Sequence, residues 1–385
     1  MSEFDGLVAP GWQPVADAFA RNFEFGEVGA ACCIVVDGAP VVDLVGGRAD
    51  APAGPEWRHD TLAVVFSTTK GATAACANLL VARGRLDPDA PVSSYWPAFA
   101  ANGKERVLVR HVLSHSAGLP VVEGDFTLEE SLAWAPIVDQ LARQAPRWEP
   151  GTAVGYHMRT YGWLVGELVR RITGTTVGAF FRSELAEPLG LDWWIGLPES
   201  EEPRVAPIIP PAPATDPEVQ ALMDAVMAPG TMLGDALTGP AGHFHYDEMW
   251  NTRALHECEL PSSNGVASAV AVARLYSGLV TRVDGRRVLD DDAIARATTM
   301  QIEGTDVVIG APMRYGLGFS LGDTLTSAAR PRAFGHSGAG GSLGFADPEH
   351  RVGFGYVMNR MQVGMMEDKR PRNLVRAMYR ILETA

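Results

Sequence analysis

The spacing of apolar positions changes along the chain. In "GAACCIVVDGAPVVDLVGG" (Gly29 to Gly47) two β-rich runs flank Asp37-Gly38, a strong hairpin signature. In "RTYGWLVGELVRRITG" the apolar residues Tyr161, Leu164, Val165, Leu168, Val169 and Ile172 recur at helical spacing, and Gly174 supplies the stop. Strand texture returns in "RYGLGFSLG", "RAFGHSGAGGSLGFADP" and "RVGFGYVMN", between Arg314 and Asn359. The chain opens on an amphipathic segment, "GWQPVADAFARNFEFG", and closes on a helix with Leu374, Val375, Met378, Ile381 and Leu382 on one face.

Strands at both ends and helices between them have a simple packing solution. The pattern predicts an α/β fold of the α+β type: one antiparallel sheet built from both termini and flanked by the terminal helices. Residues 1–84 and 261–385 form this α/β domain, and residues 85–260 form an inserted helical domain. Within the insert, residues 198–216 ("PESEEPRVAPIIPPAPATDP" and its surroundings) are rich in Pro and read as a surface loop. No repeat of 20–50 residues is evident.

Charge narrows the choice of partners. A net charge of −14 over 385 residues, with no Lys/Arg block, argues against nucleic acid, which needs a basic face. No run of 18 apolar residues exists, so no membrane-spanning helix is expected. The start "MSEFDGLVAPGWQPV" has neither a basic segment nor an apolar core, so it does not read as a secretory signal. Cys32, Cys33, Cys76 and Cys258 lack metal-type spacing, and three of them sit in apolar runs, as buried free thiols do. These features fit a cytoplasmic protein; a homo-oligomer stays open.

The chemistry starts from an oddity of composition. Of 32 Lys and Arg residues only three are Lys, and one of these, Lys70, opens the apolar run "VVFSTTKGATAACANLLVARG" three residues after Ser67. Positions i and i+3 share a helix face. A serine hydroxyl needs a partner to take its proton. Arg stays protonated and cannot serve, whereas Lys can once burial lowers its pKa. The alternative is structural: Ser67 caps the helix and Lys70 snorkels to water.

Two further segments bear on the choice. Tyr156, after the Pro150-Gly151 turn, could relay a proton or ionise near a cation; it could equally be a half-buried core Tyr. In "FGHSGAGGSLGFADP" the glycines Gly338, Gly340 and Gly341 leave backbone N–H groups open to a ligand, or simply make a hairpin turn.

Ser67-Thr-Thr-Lys70, Tyr156-His-Met158 and His336-Ser337-Gly338, in that order, resemble the motifs of the serine β-lactamase and penicillin-binding-protein superfamily. More narrowly they are similar to class C β-lactamases and family VIII carboxylesterases. "VRHVLSHSAGLP" and "EPGTAVGYHMRTYGWLVGELVRRITG" extend the resemblance over nearly the whole chain. The resemblance implies an acylated nucleophile at Ser67, a base and proton relay in Lys70 and Tyr156, and an oxyanion hole from the N–H groups of Ser67 and Ala339. It places His336-Ser337-Gly338 where many relatives carry Lys-Thr-Gly, and the site between the two domains. It implies no cofactor and no metal.

Departures from the family pattern point to the substrate. Met158 stands where β-lactamases carry Asn, and it removes amide hydrogen bonds from the pocket. His336 replaces a Lys and is mostly uncharged at neutral pH. The expected function is therefore a carboxylesterase acting on small esters, with short acyl chains favoured. β-Lactamase, D-amino-acid peptidase, acyltransferase and a non-catalytic binding relative are the alternatives. Trp193 and Trp194 suggest an apolar rim or core packing. "GHSGA" around Ser337 nearly matches a G-x-S-x-G nucleophile elbow, but a strand rather than a helix is expected to follow it. His243, His245, Asp247 and His256 lack the usual ligand spacings for a metal site. Ser263 or Asn264 is expected to cap the next helix, with Asn264 a candidate for the site's edge.

Overall fold

A computed structural model describes residues 4–50, 54–362 and 367–384. Nine strands form one antiparallel sheet: β1 (Phe4–Val8), β2 (Gly29–Val36), β3 (Ala39–Gly47), β7 (Ile302–Thr305), β8 (Pro312–Tyr315), β9 (Ser320–Leu321), β10 (Phe334–Ser337), β11 (Leu343–Asp347) and β12 (Val352–Met358). Their order is β1-β3-β2-β12-β11-β10-β9-β8-β7, so the two ends of the chain meet at the β2–β12 pair, where Cys32 faces Tyr356. The expected hairpin forms, with Asp37 (φ 50°) and Gly38 (φ 80°) both in the left-handed region. Two successive left-handed residues match the right-handed twist of the flanking strands.

Both faces of the sheet are covered, which is why β2 and β12 are buried along nearly their whole length. The terminal helices Gln13–Asn22 and Lys369–Leu382 pack on each other, and the Ala269–Val280 helix packs on β2, β11 and β12. Alternation explains that close fit. In "VGFGYVM" Gly353 and Gly355 point to one face and Phe354 and Tyr356 to the other. A Cβ at either glycine would collide with the backbone of that helix at Ala269 or Ala273.

A second, three-stranded sheet has the order β4-β6-β5: β4 (Ala63–Val64), β6 (Val266–Ala267) and β5 (Trp193–Trp194). It ties together the segments leading into Ser67, out of the Ser262–Asn264 loop, and across the middle of the chain. Between residues 85 and 260 the regular elements are otherwise helical, the longest being Thr160–Thr173, which ends at Gly174 in the left-handed conformation. The Pro-rich segment is more than a surface loop. Ala206 and Ile208 are buried, and Val205 and Ile209 bridge to Leu62 and Arg360. Its apolar residues between the prolines buy it a place in the core. Among the described residues, no helix is long and apolar enough to cross a membrane.

Candidate active site

Ser67 lies in the 3-10 turn Phe66–Thr68 that opens the Thr69–Ala82 helix. The tighter turn eclipses residues three apart and sets Lys70 over Ser67. The preceding Phe66 has φ 43°, a left-handed conformation that costs a bulky residue on the order of 1–2 kcal/mol. Packing holds it there: its ring meets Tyr246 and Trp250 edge-on at 5.4 and 5.0 Å. Hydrogen bonds pin the same turn. Thr69 Oγ1 donates to the Phe66 carbonyl (2.5 Å) and accepts from the Gly265 N–H (2.8 Å). Ser342 donates to the Val65 carbonyl at 2.8 Å, tying the β10–β11 connection to the nucleophile turn.

Lys70 is fully buried, and its Nζ has three neighbours. It lies 3.1 Å from Ser67 Oγ, 2.7 Å from the Met158 carbonyl and 2.9 Å from the Ser262 carbonyl. A neutral amine has two N–H donors and one lone pair. The two carbonyls use the donors and leave the lone pair facing the Ser67 hydroxyl. Burial, and then the positive charge of Arg159, hold the amine well below its ordinary pKa.

Tyr156 stands just before the Thr160–Thr173 helix, half-buried, with its ring 4.9 Å from Lys70 Nζ. Burial raises its pKa, against the opposing pull of a hydrogen bond with Ser67. The phenol therefore stays protonated, and the positive charge of Arg159 does not ionise it. His336 is 3% exposed, with its ring stacked on that of Tyr156 at 5.9 Å and its Nδ1 2.7 Å from the Ser337 carbonyl. Burial, with Lys70 adding to it, pushes His336 down to about 3, so it is neutral.

A pocket of about 250 Å³ opens over Ser67, lined by Ser67, Tyr156, Met158, Arg159, Tyr246, Ser337, Gly338 and Ala339. His336 is not among these lining residues. The Gly338 N–H is spent on the Ser342 carbonyl (2.8 Å), while Ala339 N–H has no acceptor among the described residues. Ser67 sits in a first helical turn, where amides lack an intrahelical acceptor. Ser67 and Ala339 thus bring two free donors to one pocket.

Three contributors to this site carried no recognisable sequence signal: the Ser262 carbonyl, Tyr246 and Arg159. Tyr246 lies inside "HFHYDEMW", whose histidines do not converge. His243 meets the Phe126 carbonyl, Asp247 caps a turn at Met249, and His256 pairs with Glu202. Other readings are relocated too. Trp193 is buried against Phe181, and Trp194 lies beneath Arg182 and Arg204, so neither rims the pocket. Asn264 spends its amide on Leu260, Leu255 and Cys258, and the helix cap is Ser268. Ser337 is followed by β11, so the nucleophile-elbow geometry is absent there.

Residues 5–378 match the family model described as Beta-lactamase. The chain is 35% identical over 371 residues to the esterase/beta-lactamase LipL of Mycobacterium tuberculosis, covering 92% of this chain and 83% of that protein. It is similar to the crystal structure of a family VIII carboxylesterase, with a TM-score of 0.88 and 38% identity, covering 98% of this chain and 100% of that one. It is likewise similar to EstA from Arthrobacter nitroguajacolicus Rue61a, with a TM-score of 0.88 and 35% identity over 98% of each chain. By sequence and by fold, the chain belongs to the Beta-lactamase family.

Proposed function

We propose that this protein is a serine hydrolase that cleaves carboxylic esters through an acyl-enzyme on Ser67. The observation that carries this reading is the setting of the Lys70 amine: buried, held by two carbonyls, and 3.1 Å from the Ser67 hydroxyl. Ser67 Oγ bonds to the ester carbonyl carbon as its proton passes to Lys70 Nζ. The oxygen that gains charge is held by the N–H groups of Ser67 and Ala339. The bond to the alcohol oxygen then breaks, and the alcohol leaves with the proton, relayed by Tyr156. Water attacks the acyl-enzyme by the same route in reverse, releasing the acid and restoring Ser67.

The names of the relatives support esters as the substrate class. Neutral His336 and the apolar Met158 offer little at their positions to the carboxylate or amide of a β-lactam. The small pocket supports a short acyl group. Four unpaired thiols support a reducing, cytoplasmic setting.

The test is a panel of short p-nitrophenyl esters, a chromogenic cephalosporin and a D-Ala-D-Ala peptide, each run beside Ser67→Ala. Ester turnover that vanishes in the variant is expected. Ester turnover surviving Ser67→Ala removes the nucleophile assignment; cephalosporin turnover exceeding ester turnover removes the substrate class.

A further inference from the structure

Among the described residues lining the pocket, one carries a charge: Arg159. It is 5% exposed. Its guanidinium lies 5.0, 5.6 and 5.7 Å from the rings of Trp250, Phe244 and Tyr246. Its Nε donates to the Leu237 carbonyl at 3.0 Å, and its Nη2 is buried with no hydrogen-bond partner. Among the described residues it forms no ion pair with an Asp or Glu; the Tyr246 phenol, which hydrogen-bonds it, and the Tyr156 phenol are its polar neighbours.

Burial works against a cation here and is the dominant influence on it. Removing a charge from water is expensive, and three aromatic faces and one carbonyl offset only part of that cost. Arg159 also directly precedes the Thr160–Thr173 helix, at the positive end of its dipole. A cation kept against burial and the helix dipole is explained by an anion that arrives from outside. The strand position that could have held such a cation, His336, is a buried imidazole stacked on Tyr156 and does not line the pocket.

We propose that Arg159 is a specificity-determining residue that binds a carboxylate on the acyl part of the substrate. The substrate class is then a half-ester of a short dicarboxylic acid. The inference rests on the ester-hydrolase reading above and deepens it. The pocket of about 250 Å³ holds both Ser67 and Arg159 in its wall, so the carboxylate and the scissile carbonyl are separated by only a few carbons. The acyl chain spans from the nucleophile to the guanidinium, and the alcohol leaves toward solvent. The guanidinium, with its planar fork of donors, matches a carboxylate better than a Lys would.

The test compares monoethyl glutarate with its neutral isostere, ethyl 4-carbamoylbutanoate, by pH-stat, in the wild type, Arg159→Gln and Arg159→Lys. The wild type is expected to favour the carboxylate in kcat/KM by at least ~10-fold, the size of one charge-assisted contact. Arg159→Gln should bring the ratio to near one, and Arg159→Lys should keep part of it. A wild-type ratio near one, or a ratio that survives Arg159→Gln, overturns the proposal. A binding arm runs in parallel and needs only the wild type. Glutaramate should protect Ser67 from a fluorophosphonate probe at concentrations where the neutral diamide does not; equal or absent protection overturns the proposal even when Arg159→Gln fails to fold. Equal turnover of both esters, without selective protection, removes the anion site and leaves the esterase. Selective protection without turnover of either ester does the reverse.

Discussion

Gly338 lies against the Val65 carbonyl, two residues ahead of Ser67, so closely that a Cβ on residue 338 would collide with that oxygen and with the Ser342 hydroxyl. The segment after β10 and the Ser67 turn are therefore spaced by the absence of one methyl group. Gly338→Ala must push the two apart. Loss of kcat by at least ~10-fold is expected, with a stability cost of about 1–3 kcal/mol for overpacking against rigid backbone. Ester kinetics and urea unfolding of the same variant check both halves; unchanged kcat would show that this spacing does not matter.

Lys70→Arg puts a permanent cation in place of the neutral amine and so removes the proposed base. A loss of at least ~10²-fold in kcat/KM is expected, as for a positioned base. In the wild type, acidification should protonate the Lys70 amine and lower kcat/KM, with a midpoint well below the ordinary Lys value. Arg159 contributes to that depression, so its removal makes the ammonium less unfavourable and raises the pKa. The acid limb of Arg159→Gln on a neutral ester should therefore move to higher pH. A limb that stays in place or moves down would show that Arg159 does not act on Lys70.

His157 gives the fold an acid sensitivity of its own. Its Nδ1 donates to the Gly155 carbonyl (2.6 Å) and its Nε2 accepts from the Leu119 N–H (3.0 Å), a pair of roles open only to the neutral ring. Burial pushes its pKa down to about 4 from an unfolded value of 6.5. The unfolded chain thus binds the proton first, and stability present above pH 6.5 is lost as pH falls toward 4. Between pH 7 and pH 5 this residue should cost roughly 2 kcal/mol. His157→Gln can keep both hydrogen bonds without titrating, so its urea midpoint should fall less over that interval. The comparison also cancels Glu27, whose pKa is raised to about 7 and which works in the opposite sense.

Arg370 braces the oxyanion segment from behind. It is fully buried, donates to the Gly340 carbonyl (2.6 Å) and pairs with Glu27 (2.8 Å) and Asp368 (2.8 Å). Arg370→Met leaves buried acceptors without a partner and should destabilise the protein by about 3–5 kcal/mol. Adding Glu27→Gln should recover part of that loss. A double-mutant cycle by chemical denaturation reads the coupling, and strict additivity would reject it.

Much of this site was legible in the chain because its parts are local. Ser67 and Lys70 are one turn apart, so their proximity follows from helical geometry alone. Asp37-Gly38 sets its own hairpin, and Gly174 its own helix stop. The alternating glycines of β12 announce a close neighbour without saying which one.

What only the tertiary structure decided is the electrostatic environment, because burial and charge act through space between segments far apart in sequence. The neutral state of Lys70 depends on burial by segments far along the chain and on the charge of Arg159, while the distant Met158 and Ser262 carbonyls orient the amine. The phenol of Tyr156 looked able to ionise beside a cation, but desolvation outweighs that attraction. His336 kept its place in the motif order, yet its ring is buried against Tyr156, and burial holds it neutral. The chain by itself specified which groups could react; their packing determined which proton each one holds.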